Sequence, residues 1–520
     1  MRGFGFGVAS AVAASALGLA VQGCEGPENA TAHSDLRPEI GFVELPGDVA
    51  TFDGQQLVSP PTRLFYALRP ARDDQDAAPL VVVHAGGPGA SVLNLAAYGT
   101  AAHVLGSDGT LVENRGALAN VHLLYLDARQ AGFSYSELED PSDGEARAAA
   151  FTAAGFNPYR DATDLLLVLF ELLDRYPSLQ QRPIFLLGES YAALRSNVMF
   201  HLLLHAEEYG NGSERFQSPT LSRVLRERFR SVFDDESPSP AVITSWFRGQ
   251  ILLQPWFAGI RQANITGALL EQQGSPLDEL ATETDTDYQR CESEADCDPY
   301  DNARRFLVDI DRSAYDIRET ADWSLRNAEH LTAVATSSEA LAAVLDVTLD
   351  SLDATFDVAR AQAYRFADVR LQWTPRETGD LDSRWGTLEP WDAYFLIANE
   401  EVLRAFTSSE AQSLGLDPNQ EWYGNLLADN LRAVPTMMTR AEQDLVIYGP
   451  AIAPTLASYP GVREVIEGNS GQGLSVVYDD GLVVSVMAPR YSQCSHSVLR
   501  DQPQLVLDDI SRFIAEVPER

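Results

Sequence analysis

A serine placed between two small residues follows a short apolar run, and this arrangement restricts the local backbone more than any other feature of the chain. The run spans 183–187, and the sequence continues Gly188-Glu189-Ser190-Tyr191-Ala192. A serine at a tight turn between a strand and a helix stands clear of the backbone, and the turn crowds the residues two before and two after it. Gly188 and Ala192 meet that requirement. The segment predicts a strand, a sharp turn that presents the Ser190 hydroxyl, and a helix.

Other apolar runs predict that this strand belongs to a mostly parallel sheet. Short runs bounded by Gly, Pro or Asp are typical of buried strands, and they lie at 80–83, 121–126, 184–187, 250–253, 434–438 and 482–487. The Leu-rich segment 161–175 ends just before Pro177, as a crossover helix does, and 505–517 has the spacing of a closing amphipathic helix. The pattern predicts a doubly wound α/β domain.

The interval 257–422 interrupts this alternation, because it is rich in helical and acidic segments with scattered Trp and Pro. We predict an inserted, mainly helical lid there, since insertions of this kind cover the sheet edge where functional groups collect. The expected organisation is a targeting segment at 1–24, the first part of the α/β domain at 25–256, the lid at 257–422 and the second part of the domain at 423–520.

The charge of the chain excludes one class of partner. The sequence holds 75 acidic and 38 basic residues in 520, which gives a net charge of −37. Such a surface repels the phosphates of nucleic acids and anionic lipid headgroups, so no nucleic acid partner is expected. None of the basic residues is Lys, which excludes a phosphate-binding loop of the kind that ends in Lys. Nothing in the sequence specifies a cofactor, a metal or an oligomeric state.

The N-terminus predicts export. Arg2 precedes the apolar run 4–21, and Gly23 and Cys24 follow it. The ending is similar to a bacterial lipobox, in which the cysteine becomes lipid-modified, although Gln22 is unusual there; an uncleaved anchor or simple secretion are the alternatives. No other stretch reaches the roughly 18 apolar residues that span a bilayer. We therefore expect a periplasmic or cell-surface protein that contacts the membrane only through an N-terminal lipid anchor.

Two cysteines fit an oxidising compartment. Cys291 and Cys297 lie close together in a polar, acidic segment, where a local disulfide is expected. Metal binding there is the weaker interpretation, because two ligands do not complete a tetrahedral zinc site. Cys494 has no obvious partner in the sequence.

A glycine-rich loop follows the first clear strand and reads His84-Ala85-Gly86-Gly87-Pro88-Gly89. Glycines there let backbone N–H groups turn toward a reacting carbonyl. We predict that the N–H groups of Gly87 and Tyr191 form an oxyanion hole, because this loop is the usual source of one donor and the residue after the nucleophile supplies the other.

A serine hydroxyl needs a neighbouring base, and a late histidine can supply it. His496 is the only histidine beyond His330, and it lies after the predicted last strand and before the last helix. In chains that order their catalytic residues as Ser, Asp or Glu, then His, the acid follows the preceding strand. Asp444 has that position, with Glu442 as its competitor two residues away. We predict Ser190, Asp444 and His496 as a catalytic triad.

Two further histidines, His201 and His205, are spaced so that both could face one metal ion from a helix. No His-Glu-x-x-His pattern accompanies them. Since they fall in the helix expected after Ser190, ordinary helix packing is the favoured interpretation.

Four stretches of the chain resemble the serine carboxypeptidases, a family of α/β-hydrolases. They are 86–91, which is similar to the family's Gly-Gly-Pro-Gly loop, 126–136, 188–192, and His496 with the following 501–503. The resemblance implies the α/β-hydrolase fold with an inserted lid and the triad already named. It also implies Gly87 and Tyr191 as oxyanion donors, Gly86 and Glu189 at the substrate site, and no cofactor.

The departures from the family concern substrate binding. A Trp and an Asn before the Gly-Gly-Pro-Gly loop grip the substrate carboxylate in the family, and here those positions hold Val83 and Ala85. The family also pairs the glutamate of the 188–192 motif with a second glutamate, and no acidic residue lies between Gly89 and Ser107 to pair with Glu189. Three further family positions differ and read Ala193, Leu194 and Ser497.

The expected activity is hydrolysis of a peptide bond at the C-terminus through an acyl-enzyme on Ser190, with a peptide as the substrate. An aminopeptidase or esterase on the same scaffold is the first alternative, because the carboxylate grip is missing. A lipid-anchored binding protein without catalysis is the second.

Overall fold

The computed structural model describes residues 36–72, 77–106, 108–114, 116–137, 151–257, 330–355 without 332 and 336, and 402–517 with short gaps at 403–404, 407, 419, 421, 443, 445–446, 448, 450–451, 469–470, 493 and 495. These residues belong to one compact unit that begins at Leu36. Cys24, Cys291, Cys297 and most of the predicted lid lie outside the described residues.

A large mixed sheet forms the centre of the described structure. Its main strands are β1 (Glu39–Leu45), β2 (Thr62–Arg69), β3 (Leu80–His84), β4 (His122–Leu126), β5 (Ile184–Glu189), β6 (Phe247–Leu253), β7 (Thr436–Met438), β8 (Val462–Glu467), β9 (Gly473–Tyr478) and β10 (Val483–Met487). Their order is β1-β2-β4-β3-β5-β6-β7-β10-β9-β8, and the two-residue strand Tyr135–Ser136 pairs with β2. The five pairings from β4 to β10 are parallel. This order and the helices on both faces are those of the α/β-hydrolase fold, which confirms the predicted fold class.

The helices that lie between and after these strands are α1 (Pro158–Arg175), α2 (Tyr191–Leu204), α3 (Glu208–Asn211), α4 (Pro219–Phe233), α5 (Pro240–Trp246), α6 (Ser338–Leu345), α7 (Leu349–Thr355), α8 (Ser409–Leu414), α9 (Trp422–Ala433), α10 (Ile452–Ser458), α11 (Val498–Asp501) and α12 (Pro503–Glu516). Helix α1 begins earlier than predicted, because the Asn157 side chain accepts a hydrogen bond from Arg160 N and Pro158 occupies the first turn. It ends before Pro177, as predicted.

Alternate residues of β3 point to opposite faces of the sheet, and both faces are covered. Leu80 and Val82 pack in the cluster that contains the apolar side of α1 and α2. Val81 and Val83 pack with α12, including Ile510. A strand buried on both faces reads as a continuous apolar run, which is why the sequence revealed the central strands.

The edges of the sheet differ from the expectation drawn from the apolar runs. The antiparallel strands β1 and β2 at one edge, and β8 and β9 at the other, were not predicted. Strand β6 begins at Phe247 rather than at 250, and β7 begins at Thr436 rather than at 434. Pro435 immediately precedes β7 and has no N–H to donate to a neighbouring strand.

The part of the predicted lid that the structure describes is helical and packs against the sheet domain. Leu341 and Leu352, from α6 and α7, lie in the same apolar cluster as α12. The ring of Phe406 packs edge-on against that of Tyr191, at a centroid distance of 5.3 Å. Among the described residues, no helix combines the length and the apolar character that a membrane crossing requires.

Candidate active site

The four segments predicted to carry the chemistry all follow the carboxyl ends of parallel strands. The glycine loop follows β3, Ser190 follows β5, Asp444 comes after β7, and His496 comes after β10. Beyond β7 and β10 the chain continues in parallel, because Arg440–Ala441 pairs with Arg490–Tyr491. Ends of parallel strands meet at one edge of a sheet, so the fold brings these segments to the same edge.

Ser190 occupies a strained turn between β5 and α2. Its φ and ψ are 59° and −126°, a conformation that residues with a side chain rarely adopt. Two backbone hydrogen bonds hold it: Ser190 N donates to Leu253 O at 2.9 Å, and Trp256 N donates to Ser190 O at 3.1 Å. A Cβ atom at Gly188 would lie 2.9 Å from Cβ of Ala192. This contact is the physical reason why both flanking residues are small.

The glycine loop lies directly against this turn. A Cβ atom at Gly86 would stand 2.4 Å from Glu189 O and 2.9 Å from Tyr191 N, so any side chain at Gly86 would push the two segments apart. Gly87 has φ 99°, which favours glycine. Tyr191 is the first residue of α2, and its N–H therefore has no acceptor within the helix. The backbones that carry both predicted oxyanion donors are thus in contact.

Asp444 and His496 form a buried hydrogen-bonded pair. His496 Nδ1 lies 2.8 Å from Asp444 Oδ2, and Ile447 N donates to Asp444 Oδ1 at 2.9 Å. Burial by itself lowers the pKa of His496, but the charge of Asp444 and its hydrogen bond outweigh burial and raise that pKa above 6.5. The Asp444 carboxylate can therefore stabilise the protonated imidazole of His496, as the acid of a catalytic triad does.

Gln254 was missed by sequence reasoning, although it touches the predicted acid. This fully buried residue follows β6, and its Nε2 donates to Asp444 Oδ2 at 2.6 Å. Its Oε1 accepts from Ala441 N at 2.6 Å, and its backbone N donates to Thr439 Oγ1 at 2.8 Å. Gln254 thus fixes the Asp444 carboxylate to the ends of two strands. Its position directly after an apolar run was the only signal in the sequence.

Glu189, beside the predicted nucleophile, is buried, and its Oε1 has no hydrogen-bond partner in the described part of the chain. Burial raises the pKa of this carboxyl to about 7, partly offset by the nearby charges of His496 and Arg500. The carboxylate of Glu189 in turn raises the pKa of His496. The side chains of Glu189 and His496 are therefore near enough for the charge of each to affect the pKa of the other.

A second buried cluster, centred on Arg195, contacts the glycine loop and α2, and the sequence did not reveal it. Arg195 of α2 is fully buried, and its Nε donates to Asp161 Oδ2 at 2.7 Å. Its Nη1 donates to Ala85 O at 2.8 Å and lies 3.2 Å from His84 Nδ1. Arg195 therefore ties α2 to α1 and to the start of the glycine loop.

Val83 and Ala85 occupy the positions at which the serine carboxypeptidases carry their carboxylate-binding Trp and Asn, and both side chains are apolar and buried. Val83 is buried within the sheet and Ala85 is 3% exposed, so neither side chain can bind a carboxylate.

Cys494 is buried and is not disulfide-bonded. Burial raises the pKa of its thiol to about 12, which keeps it protonated at neutral pH.

Comparison with known proteins places the resemblance in the first part of the chain. Residues 54–213 match the family described as serine carboxypeptidase. Serine carboxypeptidase-like 40 of Arabidopsis thaliana is 32% identical over 183 residues, which are 34% of this chain and 33% of that protein. Serine carboxypeptidase S10 family member 1 of Dictyostelium discoideum is 32% identical over 133 residues, or 25% of this chain and 29% of that protein. The chain thus spans about a third of the length of the curated relatives it matches.

Two solved structures of hydrolases align with most of this chain. The prohormone-processing carboxypeptidase Kex1(delta)p of Saccharomyces cerevisiae covers 92% of both chains at 14% identity, with a TM-score of 0.47. Esterase E22 covers 92% of this chain and 100% of its own at 12% identity, with a TM-score of 0.37. The chain therefore has the sheet order of the α/β-hydrolase fold, and its residues 54–213 are similar in sequence to the serine carboxypeptidases.

Proposed function

We propose that this protein is a serine hydrolase of the carboxypeptidase type, which releases residues from the C-terminus of peptides through an acyl-enzyme on Ser190. The observation that carries the proposal is the buried hydrogen bond between Asp444 and His496, which lies within electrostatic range of Glu189 next to Ser190. The match of residues 54–213 to the serine carboxypeptidases supports the same reaction.

The proposed reaction proceeds in two transfers. Ser190 Oγ attacks the carbonyl carbon of the scissile bond while Nε2 of His496 takes the hydroxyl proton, and Asp444 stabilises the imidazolium. The negative charge on the carbonyl oxygen is met by the N–H groups of Gly87 and Tyr191. The tetrahedral species collapses, the leaving amine takes the proton from His496, and water then hydrolyses the acyl-enzyme by the same steps.

Recognition of the free C-terminus is proposed to depend on Glu189 and the backbone of Gly86, since Val83 and Ala85 offer no polar group. With its pKa near 7, the Glu189 carboxyl is partly protonated at neutral pH. A protonated carboxyl can donate a hydrogen bond to a substrate carboxylate. The lid at 257–422 is proposed to shape the rest of the pocket.

The test uses N-blocked peptides with free or amidated C-termini and reads the products by mass spectrometry. We expect single C-terminal residues to be released only from the free acids. Ser190→Ala should lower the rate by at least about 10⁴-fold, whereas Ser245→Ala, at a partly exposed position of α5, should not change it. Cleavage that ignores the carboxylate would indicate an esterase, and cleavage that needs a free N-terminus an aminopeptidase. No labelling of Ser190 by a fluorophosphonate would favour a binding protein.

We further propose that the protein is exported and anchored through lipid on Cys24. The support is the charged start, the apolar run 4–21 and the lipobox-like ending. Expression in a bacterial host with an alkyne-tagged fatty acid should label the wild-type chain and leave Cys24→Ala unlabelled. Equal labelling of both chains, or of neither, would contradict the anchor.

A disulfide between Cys291 and Cys297 is proposed from their spacing in a polar segment of an exported chain. Alkylation of the denatured protein before and after reduction, followed by peptide mass mapping, tests it. We expect both cysteines to be alkylated only after reduction. Alkylation of both without reduction would overturn the pairing.

A further inference from the structure

Two imidazoles lie one helical turn apart at the C-terminal end of α2, and two carboxylates face them. His201 is in the last turn of α2, and His205 is the residue that caps it. Their rings lie 4.3 Å apart between centroids. Glu208 begins α3, and Glu214 follows in the loop after that helix. Residues four apart share one face of a helix, so both histidines point the same way.

The distances within this cluster suit a small divalent cation. His205 Nδ1 lies 3.3 Å from Glu208 Oε1, and His201 Nε2 lies 3.7 Å from Glu214 Oε1. One ligand atom each from His205, Glu208 and Glu214 lies within 4.8 Å of the other two. A tetrahedron with metal–ligand bonds of about 2.0–2.1 Å has edges of about 3.3 Å. The two His–Glu separations are close to that edge length.

The loop that carries Glu214 is held in place by other contacts. The Gln217 side chain donates from Nε2 to Glu208 O at 2.9 Å and to Glu214 O at 2.7 Å. The neighbouring cation, Arg215, is already engaged with Asp53 at 2.6 Å. Two carboxylates brought together with no cation between them repel each other. Within the part of the chain that the structure describes, the ion-pair partners of these two acids are the histidines and not an arginine.

We propose that His205, Glu208 and Glu214 form a zinc-binding site, with His201 beside Glu214. Imidazole nitrogen favours zinc, whereas calcium and magnesium prefer sets made of oxygen alone. This differs from the expectation of helix packing alone, although His201 does pack edge-on against Tyr209 at 5.8 Å.

The site is distant from the proposed chemistry. Helix α2 has 14 residues, and at 1.5 Å per residue it separates its two ends by about 20 Å. Ser190 precedes one end and the cluster lies at the other. The role is therefore structural: zinc would clamp the segment 208–217 onto the helix that begins at the nucleophile. The inference does not depend on the proposed function.

Metal content is the first test. The full chain is stripped with a chelator, dialysed against zinc, calcium or magnesium at micromolar concentration, and analysed for bound metal. We expect one zinc per chain and neither of the other metals. His205→Ala and Glu214→Gln should each weaken zinc binding by at least about 10-fold. The matched control is Glu207→Gln, which removes an adjacent carboxylate outside the cluster and should bind zinc like the wild type.

Thermal unfolding separates loss of metal from loss of fold. We expect zinc to raise the Tm of the wild-type chain and of Glu207→Gln by at least about 2 °C, and to leave that of His205→Ala unchanged. In chelator all three proteins should unfold at similar temperatures, because His205 is partly exposed and contributes little packing. Absence of bound zinc, preference for calcium or magnesium, or equal zinc stabilisation of His205→Ala would each overturn the site.

Discussion

The amide nitrogen of Gln254 and the imidazole of His496 share one oxygen of Asp444. The Oδ2 atom accepts from Gln254 Nε2 at 2.6 Å and from His496 Nδ1 at 2.8 Å. The orientation of the carboxylate is thus set by a residue at the end of β6, a strand that carries none of the predicted catalytic groups. A hydrogen bond to a charged group contributes about 1.5–3 kcal/mol, and here it stabilises the orientation of the Asp444 carboxylate.

Replacing Gln254 with Leu should therefore impair catalysis while substrate binding persists. We expect kcat to fall by about 10- to 100-fold, which corresponds to losing one hydrogen bond to a charge, with little change in KM. The matched control is Gln250→Leu in the same strand, since Gln250 bonds Asn197 and Thr436 and not the acid. Steady-state kinetics of both variants tests this. Equal losses of kcat in the two variants would show that Gln254 contributes only to packing and does not position Asp444.

The pH dependence of activity should change when Glu189 is replaced with Gln. The base acts in its neutral form, so kcat/KM falls as the pH drops through the pKa of His496, which is raised. The charge of Glu189 contributes to that raised pKa, and its removal should move the acid limb to lower pH. Glu442→Gln serves as the control and should leave the midpoint unchanged. If the two variants show the same midpoint, Glu189 is not coupled to His496.

The same substitution should increase stability at alkaline pH. The pKa of Glu189 in the folded protein, about 7, lies above its ordinary value of 4.5. The folded state therefore binds this proton more tightly, and the resulting stability is present below pH 4.5 and lost as the pH rises to about 7. At pH 8 we expect Glu189→Gln to be more stable than the wild type by about 3 kcal/mol. Urea unfolding at pH 5 and pH 8 checks this, and a gain of equal size at both would contradict it.

Arg195 should contribute more to stability than any surface arginine. Removing one partner of a buried pair leaves an uncompensated charge, so Arg195→Met should cost about 3–5 kcal/mol. Combining it with Asp161→Leu should recover part of that loss, because both charges are then absent. Arg223→Met is the control, since its partner Glu227 is exposed and the pair contributes no more than about 0.5 kcal/mol. Strictly additive losses in the double variant would show that the two side chains act independently.

Gly86 should not tolerate even alanine. The added methyl group would stand 2.4 Å from Glu189 O, so the glycine loop and the turn at Ser190 would have to separate. We expect Gly86→Ala to lower the rate of Ser190 labelling by a fluorophosphonate at least about 100-fold, as loss of one oxyanion donor does. Gly473→Ala is the control, because its methyl group would approach nothing closer than 3.3 Å. Unchanged labelling of Gly86→Ala would contradict the close contact.

Local patterns predicted the centre of the fold well. The strands buried on both faces, such as β3 and β5, appear in the sequence as uninterrupted apolar runs. The turn at Ser190 was readable because small residues must flank it. The edge strands β1 and β8 could not be predicted from the sequence. They pair antiparallel and expose one face, so their mixture of apolar and polar residues resembles that of loops.

The supporting polar residues could not be read from the sequence, because their partners are far away along the chain. Gln254 meets Asp444 only when β6 and β7 pair, and Arg195 meets Asp161 only when α1 and α2 pack together. The separation of these partners along the sequence follows no helical or strand period. A charged residue can be recognised as buried only when the partner that compensates its charge is known. The triad itself remains a prediction that the proposed experiments test.

The order of the strands along the chain also determines when the proposed activity can appear during synthesis. Strands β3 and β5, with the glycine loop and Ser190, leave the ribosome first, whereas β7 and β10 must follow before Asp444 and His496 can pair. A nascent chain that stops short of residue 496 holds the proposed nucleophile without its proposed base, and a serine hydroxyl without a base is a weak nucleophile. While the chain is still being synthesised, therefore, the proposed triad is incomplete.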